Sequence, residues 1–360
     1  MEYVVFAFGV FVVAWVLLTA VRTVVLPRAS RSPLSWGVFG GVVWFFKAIA
    51  SLRKGYRSQD GTLALIGPVG LLVVPGVWMV MMLGAFTAMF WATDPDLEVR
   101  GAFHLAGSSI TTLGFAPATG AGQQALSFAC ALLGLLLLSL FITYLPSTYS
   151  VFQAREKRVT LLDVRAGSPP SAVVMLERFH RIGWLDRLDL HWAEWEPWFA
   201  ELEETHTTNP ALPWFRSSNP DRSWLTSAGT VLDAAAIWTS CVSGLDLSER
   251  VSANLTIRAG FVSLRRVADT FRIKYDADPN PTDSISIQRS EFDAVLDSLA
   301  EVGVSIVADR DQAWRDFSGW RVNYDTVLLE LAQVMRVPYA PWTSDRSAVA
   351  AVAGRFARRS

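Results

Sequence analysis

The stretch Ser108-Ser109-Ile110-Thr111-Thr112-Leu113-Gly114-Phe115 decides the fold, because it lies between two long apolar runs and is itself too short to cross a membrane. The residues from Leu97 to Ile110 predict a short, weakly polar helix. The residues from Thr111 to Pro117 favour neither a helix nor a strand. Irregular backbone is tolerated at membrane depth only where it is buried in protein or lines water. We therefore expect a re-entrant loop here, built from a short helix and an irregular segment.

The apolar runs around this loop predict membrane helices. A span needs about 20 apolar residues, and the sequence provides them from Tyr3 to Leu26, within Gly61 to Trp91, and from about Gln124 to Leu145. The N-terminal run is too long for a signal peptide and has no basic residues before it, so we interpret it as a retained helix. A fourth run, Leu34 to Leu52, is ambiguous because it is apolar and aromatic but contains Lys47.

Loop charges predict the orientation. The segment from Arg22 to Asp60 carries a single acid, and basic loops stay in the cytoplasm. If Leu34 to Leu52 crossed the membrane, half of the bases would be translocated, so an interfacial helix with Lys47 toward the headgroups fits better. The turn from Asp94 to Glu98 is acidic and is expected outside, and bases follow the third span from Arg155 to Arg165. The bases of the first segment are Arg22, Arg28, Arg31, Lys47, Arg53, Lys54 and Arg57.

These charges predict a multi-pass protein of the plasma membrane with its N-terminus outside and its C-terminal domain in the cytoplasm. We divide the chain into residues 1–60, an N-terminal membrane helix with a basic interfacial segment; 61–150, two helices with the loop between them; and 151–360, a helical cytoplasmic domain. The expected fold class is an all-α membrane protein. The net charge of −1 gives no indication of nucleic-acid binding.

The chemistry of the loop follows from its residue types. A cation sheds its water only where other oxygens replace that water, and rings of backbone carbonyls do so in channels. Gly114 permits backbone conformations that other residues avoid, which helps successive carbonyls to face one axis. Thr112 offers both a hydroxyl and a carbonyl. We expect Leu113 and Phe115 to turn their side chains away from that axis.

The segment Thr111-Thr112-Leu113-Gly114-Phe115, placed between two spans, resembles the Thr-Thr-Val-Gly-Tyr-Gly signature of the potassium channel superfamily with two membrane helices and a pore loop. The resemblance covers roughly Gly61 to Glu156 and is greatest to the short bacterial members, with an extra N-terminal helix here. It implies a homotetramer in the lipid bilayer that passes a monovalent cation, K⁺ in that family. It also implies that residues 112–115 line the filter, that Thr111 lies just behind it, and that Gly134 is a gating hinge.

Two positions depart from that signature. Ala116 stands where the family has a second glycine, and Pro117 stands where it usually has an aspartate. Ala116 must either take a positive φ, at a cost of about 1 kcal/mol, or let the outermost carbonyl point elsewhere. The acids Asp94, Asp96 and Glu98 compensate in part for the missing aspartate. These departures affect the expectation of potassium selectivity more than that of permeation.

The sequence after Ser147 predicts an all-α domain whose best strand candidate is Val302 to Val307. The run from Arg222 to Cys241 contains Asp233, which is costly in a membrane, so we predict a buried core helix there. Each of Cys130 and Cys241 is interpreted as a small buried hydrophobe. The predicted helices are Ser171 to Ile182, Leu188 to His206, Arg222 to Cys241, Leu247 to Phe271, Gln288 to Glu301 and Asp311 to Met335.

This domain contains few residue patterns that indicate catalysis or ligand binding. The pairs His191/Glu194 and Glu203/His206 have the i, i+3 spacing of di-iron bundles but lie in one helix, so we interpret them as solvated helix faces. Tryptophans at 184, 192, 195, 198 and 214 indicate a packed core or an aromatic membrane surface. We find no nucleotide-binding fingerprint or nucleophile motif, and we expect no enzyme activity, cofactor or metal site. The alternative to a channel is a membrane-anchored scaffold or sensor whose helical domain binds a partner.

Overall fold

The computed structural model describes residues 1–24, 32–94 and 96–346, and this part of the chain is helical without a strand. The strand candidate Val302 to Val307 forms only an isolated antiparallel bridge between Ile306 and Val242. The predicted all-α class is therefore confirmed for these residues. Leu26, the bases Arg28 and Arg31, and Pro95 of the acidic turn lie outside the described residues.

The chain divides into two compact units. The first, here called the membrane unit, comprises Met1–Val151 together with Thr208–Phe215. The second, here called the C-terminal unit, comprises residues 152–207 and 216–360. The helices of the membrane unit are α1 (Glu2–Val24), α2 (Pro33–Ser51), α3 (Tyr56–Leu63), α4 (Ile66–Ala92), α5 (Val99–Ile110) and the first part of α6 (Gly120–Ala166).

Four helical stretches among the described residues are long and apolar enough to cross a membrane: α1, α2, the stretch Tyr56–Ala92, and α6. The chain thus has the helix lengths and composition of a membrane protein. The three predicted spans fall on α1, α4 and α6, and the ambiguous run Leu34 to Leu52 forms α2. By composition alone, α2 is long enough either to span or to lie on the surface.

Close backbone approach packs the membrane helices, as is common where small residues let helices come together. At Gly9 of α1 an added Cβ would lie 2.9 Å from the carbonyl oxygen of Ala85 in α4. At Gly70 of α4 it would meet the ring of Phe39 in α2. α5 packs against α4, and Ala102, Leu105 and Ala106 of α5 are buried.

α6 is longer than the sequence predicts. The third span was expected to end at about Leu145, yet α6 continues through Pro146 to Ala166. The physical reason is burial, since Val159, Leu162 and Ala166 lie in the core of the C-terminal unit. The helix ends where Gly167 takes a φ of +85°, a left-handed conformation that glycine adopts readily at helix C-termini.

The C-terminal unit is built around α9, which is buried along nearly its whole length. The prediction of a core helix with Asp233 inside it is therefore confirmed. Trp192, Trp195 and Trp198 are buried in the same core, whereas Trp184 is exposed. After α6, the helices that follow are α7 (Ala172–Arg181), α8 (Leu188–Thr208), α9 (Trp224–Cys241), α10 (Leu247–Thr270), α11 (Arg289–Glu301), α12 (Arg310–Arg321) and α13 (Asp325–Met335).

A buried charge network explains how Asp233 is accommodated. Its carboxylate accepts hydrogen bonds from Arg321 at 2.5 Å and from the hydroxyl of Tyr324 at 2.9 Å. Arg321 also donates to Asp325 at 2.9 Å and to the carbonyl oxygen of Trp342 at 2.6 Å. Burial raises the pKa of Asp233, and Arg321 opposes that shift. Each member of the network thus has partners that offset its desolvation.

The predicted helix Asp311 to Met335 is two helices, α12 and α13, so that prediction was wrong as one element. The side chain of Asn323 donates to the carbonyl oxygens of Gly319 and Trp320 at the end of α12, and its backbone N–H also donates to that of Trp320. The turn also lets Arg321 and Asp325, on the two helices, meet beside Asp233. The hydropathy pattern of the sequence predicts neither the hydrogen bonds of Asn323 nor the ion pair between Arg321 and Asp325.

Replacing Arg321 with Met should destabilise the C-terminal unit strongly, because Asp233 would remain buried without its cation. We expect a loss of about 3–5 kcal/mol in the free energy of unfolding, measured on the full chain by tryptophan fluorescence in denaturant. Arg310→Met is the matched control, since Arg310 pairs with Asp297 at 2.7 Å on the surface and such pairs contribute about 0–1 kcal/mol. Equal losses in both variants would contradict this role of Arg321.

Candidate functional site

The residues of the predicted loop follow directly from the C-terminal end of α5. The N–H of Leu113 donates to the carbonyl oxygen of Ser108 at 3.0 Å, and the N–H of Thr112 donates to that of Ser109 at 3.0 Å. This pair of bonds is the Schellman pattern, which uses carbonyls left unpaired at a helix end. The hydroxyl of Thr111 donates to the carbonyl oxygen of Gly107 at 2.6 Å. The end of α5 is therefore capped by the loop itself.

Ser108 ties the rest of the loop to α5. Its carbonyl oxygen also accepts from the N–H of Gly114 at 3.3 Å, and its hydroxyl accepts from the N–H of Ala116 at 3.0 Å. Ser108 is buried. We quoted this residue as part of the motif but did not predict a role for it. Its position within a short helix gives no signal, because the bonds depend on how the later backbone turns.

The carbonyl oxygens of residues 112–115 contrast with these N–H groups. Within residues 1–24, 32–94 and 96–346, no hydrogen bond reaches the carbonyl oxygens of Thr112, Leu113, Gly114 or Phe115. The loop thus uses N–H donors inside the chain and leaves a run of carbonyl acceptors. Carbonyl oxygens in this state bind cations rather than anions.

Backbone conformation is unusual at two of these residues. Thr112 has a φ of +56° and Gly114 a φ of +70°. Glycine takes such angles without steric cost, whereas a β-branched residue does so rarely and at roughly 1–2 kcal/mol. Ala116, where a positive φ was one alternative, keeps a negative φ. The outermost carbonyl is therefore not oriented by a left-handed residue at position 116.

The side chains of Leu113 and Phe115 are 71% and 59% exposed in the single chain. They were expected to pack behind the carbonyls, and within one chain they do not. Phe115 lies edge-on to the ring of His104, with centroids 6.2 Å apart. The described residues of one chain thus leave these two apolar side chains largely uncovered.

Gly134 lies where α6 meets the end of α5. An added Cβ would be 2.9 Å from the carbonyl oxygen of Ile110 and 2.8 Å from its Cγ1. One turn earlier, the Sγ of Cys130 lies 3.7 Å from the carbonyl oxygen of Ala106. Gly134 therefore has a packing role beside the loop, and its role as a hinge stays a prediction.

The face of α6 that packs in the membrane unit is narrow. Leu126, Cys130, Gly134 and Leu137 are buried at helical spacing. Another face exposes hydroxyl side chains at intervals of three or four residues, so they lie along one side of the helix. These residues are Ser139, Thr143, Ser147 and Ser150.

The two histidines of the predicted pairs are buried, so their interpretation as solvated faces was wrong. Arg165 donates to Nδ1 of His191 at 3.0 Å, and Arg155 donates to Nε2 of His206 at 2.9 Å. A guanidinium has only donors, so each imidazole accepts and is neutral. Burial, followed by Arg165 and Arg158, lowers the pKa of His191 to about 3. Burial and Arg155 lower the pKa of His206 well below its usual range.

The acids of those pairs do not join the histidines in a site. Glu194 forms ion pairs with Arg158 at 2.6 Å and Arg165 at 3.5 Å. Among the described residues, no group of three or more histidine, cysteine or acidic side chains is placed to hold a metal ion. Instead, His191, Glu194 and His206 of α8 contact arginines of α6 through hydrogen bonds and ion pairs.

No protein family, curated protein or solved structure matches the chain. The proposed function is therefore based on the residues of the loop and of the helices beside it.

Replacing Gly134 with Ala should separate α5 from α6, because the new methyl would overlap the backbone of Ile110. Overpacking of this kind costs about 1–3 kcal/mol, so we expect a lower melting temperature of the protein in detergent. Gly122→Ala is the control in the same helix, since nothing lies within 4 Å of its added Cβ. If both variants have the melting temperature of the wild type, the close approach at Gly134 does not limit the packing of α5 against α6.

Proposed function

We propose that this protein is a cation channel of the plasma membrane, assembled from four copies, in which the carbonyl oxygens of residues 112–115 line the ion path. The observation that carries the proposal is the asymmetry of the loop. Four of its N–H groups, those of residues 112, 113, 114 and 116, bond to Ser108 or Ser109, while the carbonyl oxygens of residues 112–115 accept no bond from the described chain. The donors are used and the acceptors remain, which suits a cation that has lost water.

A single copy cannot surround an ion, which is why the proposal requires several. The loop of one chain offers oxygens from one side only, and a ring from four chains replaces a hydration shell in potassium channels. The exposed side chains of Leu113 and Phe115 support the same conclusion. In an assembly, neighbouring copies cover them and place them behind the carbonyls, as the sequence predicts.

The exposed hydroxyls of α6 support a water-filled path beyond the filter. A row of polar side chains on a membrane helix is disfavoured against lipid and is expected to face protein or water. Ser139 and Thr143 lie on such a face within the predicted span, away from the face that packs on α5, and Ser147 and Ser150 continue the row beyond the end of the span. In the proposed channel this face of α6 lines the inner cavity.

The contacts of α2 support a topology of three spans. Phe39 of α2 packs at Gly70 of α4, and Lys47 lies over the ring of Trp214 at 5.0 Å. Phe215, the next residue, packs at Gly67. Phe39 and Lys47 of α2 thus both lie near the first turns of α4, as expected of a helix lying along the inner leaflet. The N-terminus is then outside and the C-terminal unit is cytoplasmic.

Selectivity follows from the outer end of the loop. With a negative φ at Ala116 and a proline at 117, the outermost carbonyl ring of a potassium filter has no equivalent here. We propose a path for monovalent cations, with K⁺ as the first ion to test and Na⁺ as the comparison. Asp94, Asp96 and Glu98 supply negative charge at the outer mouth.

Purified protein in planar bilayers should carry cation current, and Gly114→Val should abolish it. Valine strongly disfavours the φ of +70° at this position, so the carbonyls would turn from the path. Gly84→Val is the matched control, because Gly84 is exposed on α4 with nothing within 4 Å of its added Cβ.

Absence of current from the wild-type protein, or equal currents from wild type and Gly114→Val, would contradict the channel. A membrane-anchored interaction protein would then be the better proposal. Its C-terminal unit should bind a partner without help from the loop.

A further inference from the structure

A segment distant in sequence belongs to the membrane unit. Thr208–Phe215, here called the strap, follows α8 and precedes α9, yet it groups with Met1–Val151. Ala211, Leu212, Trp214 and Phe215 are buried. A short 3₁₀ turn, Leu212–Trp214, forms its centre and packs on α4. Prolines at 210 and 213 restrict its backbone further.

The first contact of the strap is with α6. The side-chain amide of Asn209 donates to the hydroxyl of Thr148 at 3.2 Å. The carboxamide oxygen of Asn209 accepts from the N–H of Ala211 at 2.9 Å, which fixes the orientation of its side chain. Thr148 is buried, while its neighbours Ser147 and Tyr149 are exposed. The strap thus holds α6 at one point shortly after Pro146.

The second contact is aromatic and reaches two other membrane helices. The ammonium of Lys47 in α2 lies 5.0 Å from the ring centroid of Trp214, a cation–π distance. At Gly67 in α4, an added Cβ would be 2.6 Å from the ring of Phe215. Only glycine lets that ring lie so close to the helix. The strap therefore joins α2, α4 and α6 through three different side chains.

The residues that flank the strap in sequence form hydrogen bonds within the C-terminal unit. Just before it, His206 accepts the hydrogen bond from Arg155. Just after it, Arg216 donates hydrogen bonds to two carbonyl oxygens at the end of α13. These are the carbonyl oxygen of Met335 and, at 3.1 Å, that of Arg336. The strap thus packs in the membrane unit, and the residues on either side of it in sequence belong to the C-terminal unit.

We propose that the strap is a conformational lock on α6, which restrains the helix around Thr148 and releases it when Asn209 and Trp214 leave their partners. For its effect on current, the inference rests on the proposed channel, because α6 carries the hydroxyl face of the inner cavity. The lock itself is a property of the folded chain and is measurable without current.

Hydrogen exchange of the full chain in lipid nanodiscs tests the lock. Thr148→Val removes the acceptor while keeping the side-chain shape, and Gly67→Leu pushes the ring of Phe215 out of its place. In both variants the amides of residues 147–151 should exchange about five- to ten-fold faster, as expected for the loss of one restraining hydrogen bond. The amides of α5 should not change.

Two substitutions serve as controls for these variants. Gly76→Leu places the same side chain elsewhere on α4, where nothing lies within 4 Å. Trp214→Ala removes the ring beneath Lys47 and should also speed exchange at residues 147–151, whereas Trp184→Ala removes an exposed tryptophan and should not. Faster exchange at residues 147–151 in the strap variants alone supports the lock. Unchanged exchange in Thr148→Val and Gly67→Leu overturns it.

Current recordings of the same variants separate the lock from the channel. If the wild type conducts, strap variants should change the open probability and Gly76→Leu should not. Faster exchange with unaltered open probability would overturn control of the channel by the strap. If the wild type carries no current, the channel proposal fails, and the exchange data still decide whether the lock exists.

Discussion

The conformation of the loop from Thr111 to Ala116 depends on how its peptide groups are satisfied, a requirement that is strictest for irregular backbone at membrane depth, where the sequence predicts this loop. Ser108 meets much of that requirement, with its carbonyl oxygen bound by Leu113 and Gly114 and its hydroxyl by Ala116. The positive φ of Thr112 is the conformational cost of this arrangement. With these donors bound inside the chain, the carbonyl oxygens of residues 112–115 remain without partners among the described residues, and the proposed cation path is built on that difference.

α6 is the element that relates this loop to the rest of the protein. Gly134 lies against Ile110 at the end of α5, and Val159 and Leu162 of the same helix lie in the core of the C-terminal unit. No glycine or loop interrupts the helix between them, and Pro146 is accommodated within it. α6 thus contributes side chains to the packing of both units, and Thr148, the partner of Asn209, lies between these two parts of the helix.

Much of the architecture was predictable from sequence, and the rest was not for identifiable reasons. Long apolar runs predicted α1, α4 and α6, and the charge of Asp233 predicted a core helix, because burial in lipid or protein depends strongly on composition. The length of α6, the break near Asn323 and the buried His191 and His206 depend on partners far away in sequence. Periodicity shows which face is apolar, but it does not show which arginine will reach a histidine.

The number of copies in the assembled protein tests the channel most directly. Imaging of single particles in nanodiscs should show a four-fold complex in which the loops of residues 112–115 meet at the symmetry axis. Four copies are required because one loop supplies oxygens on one side of an ion only. A monomer, or an assembly in which these loops lie apart and face lipid, would contradict a carbonyl-lined cation path.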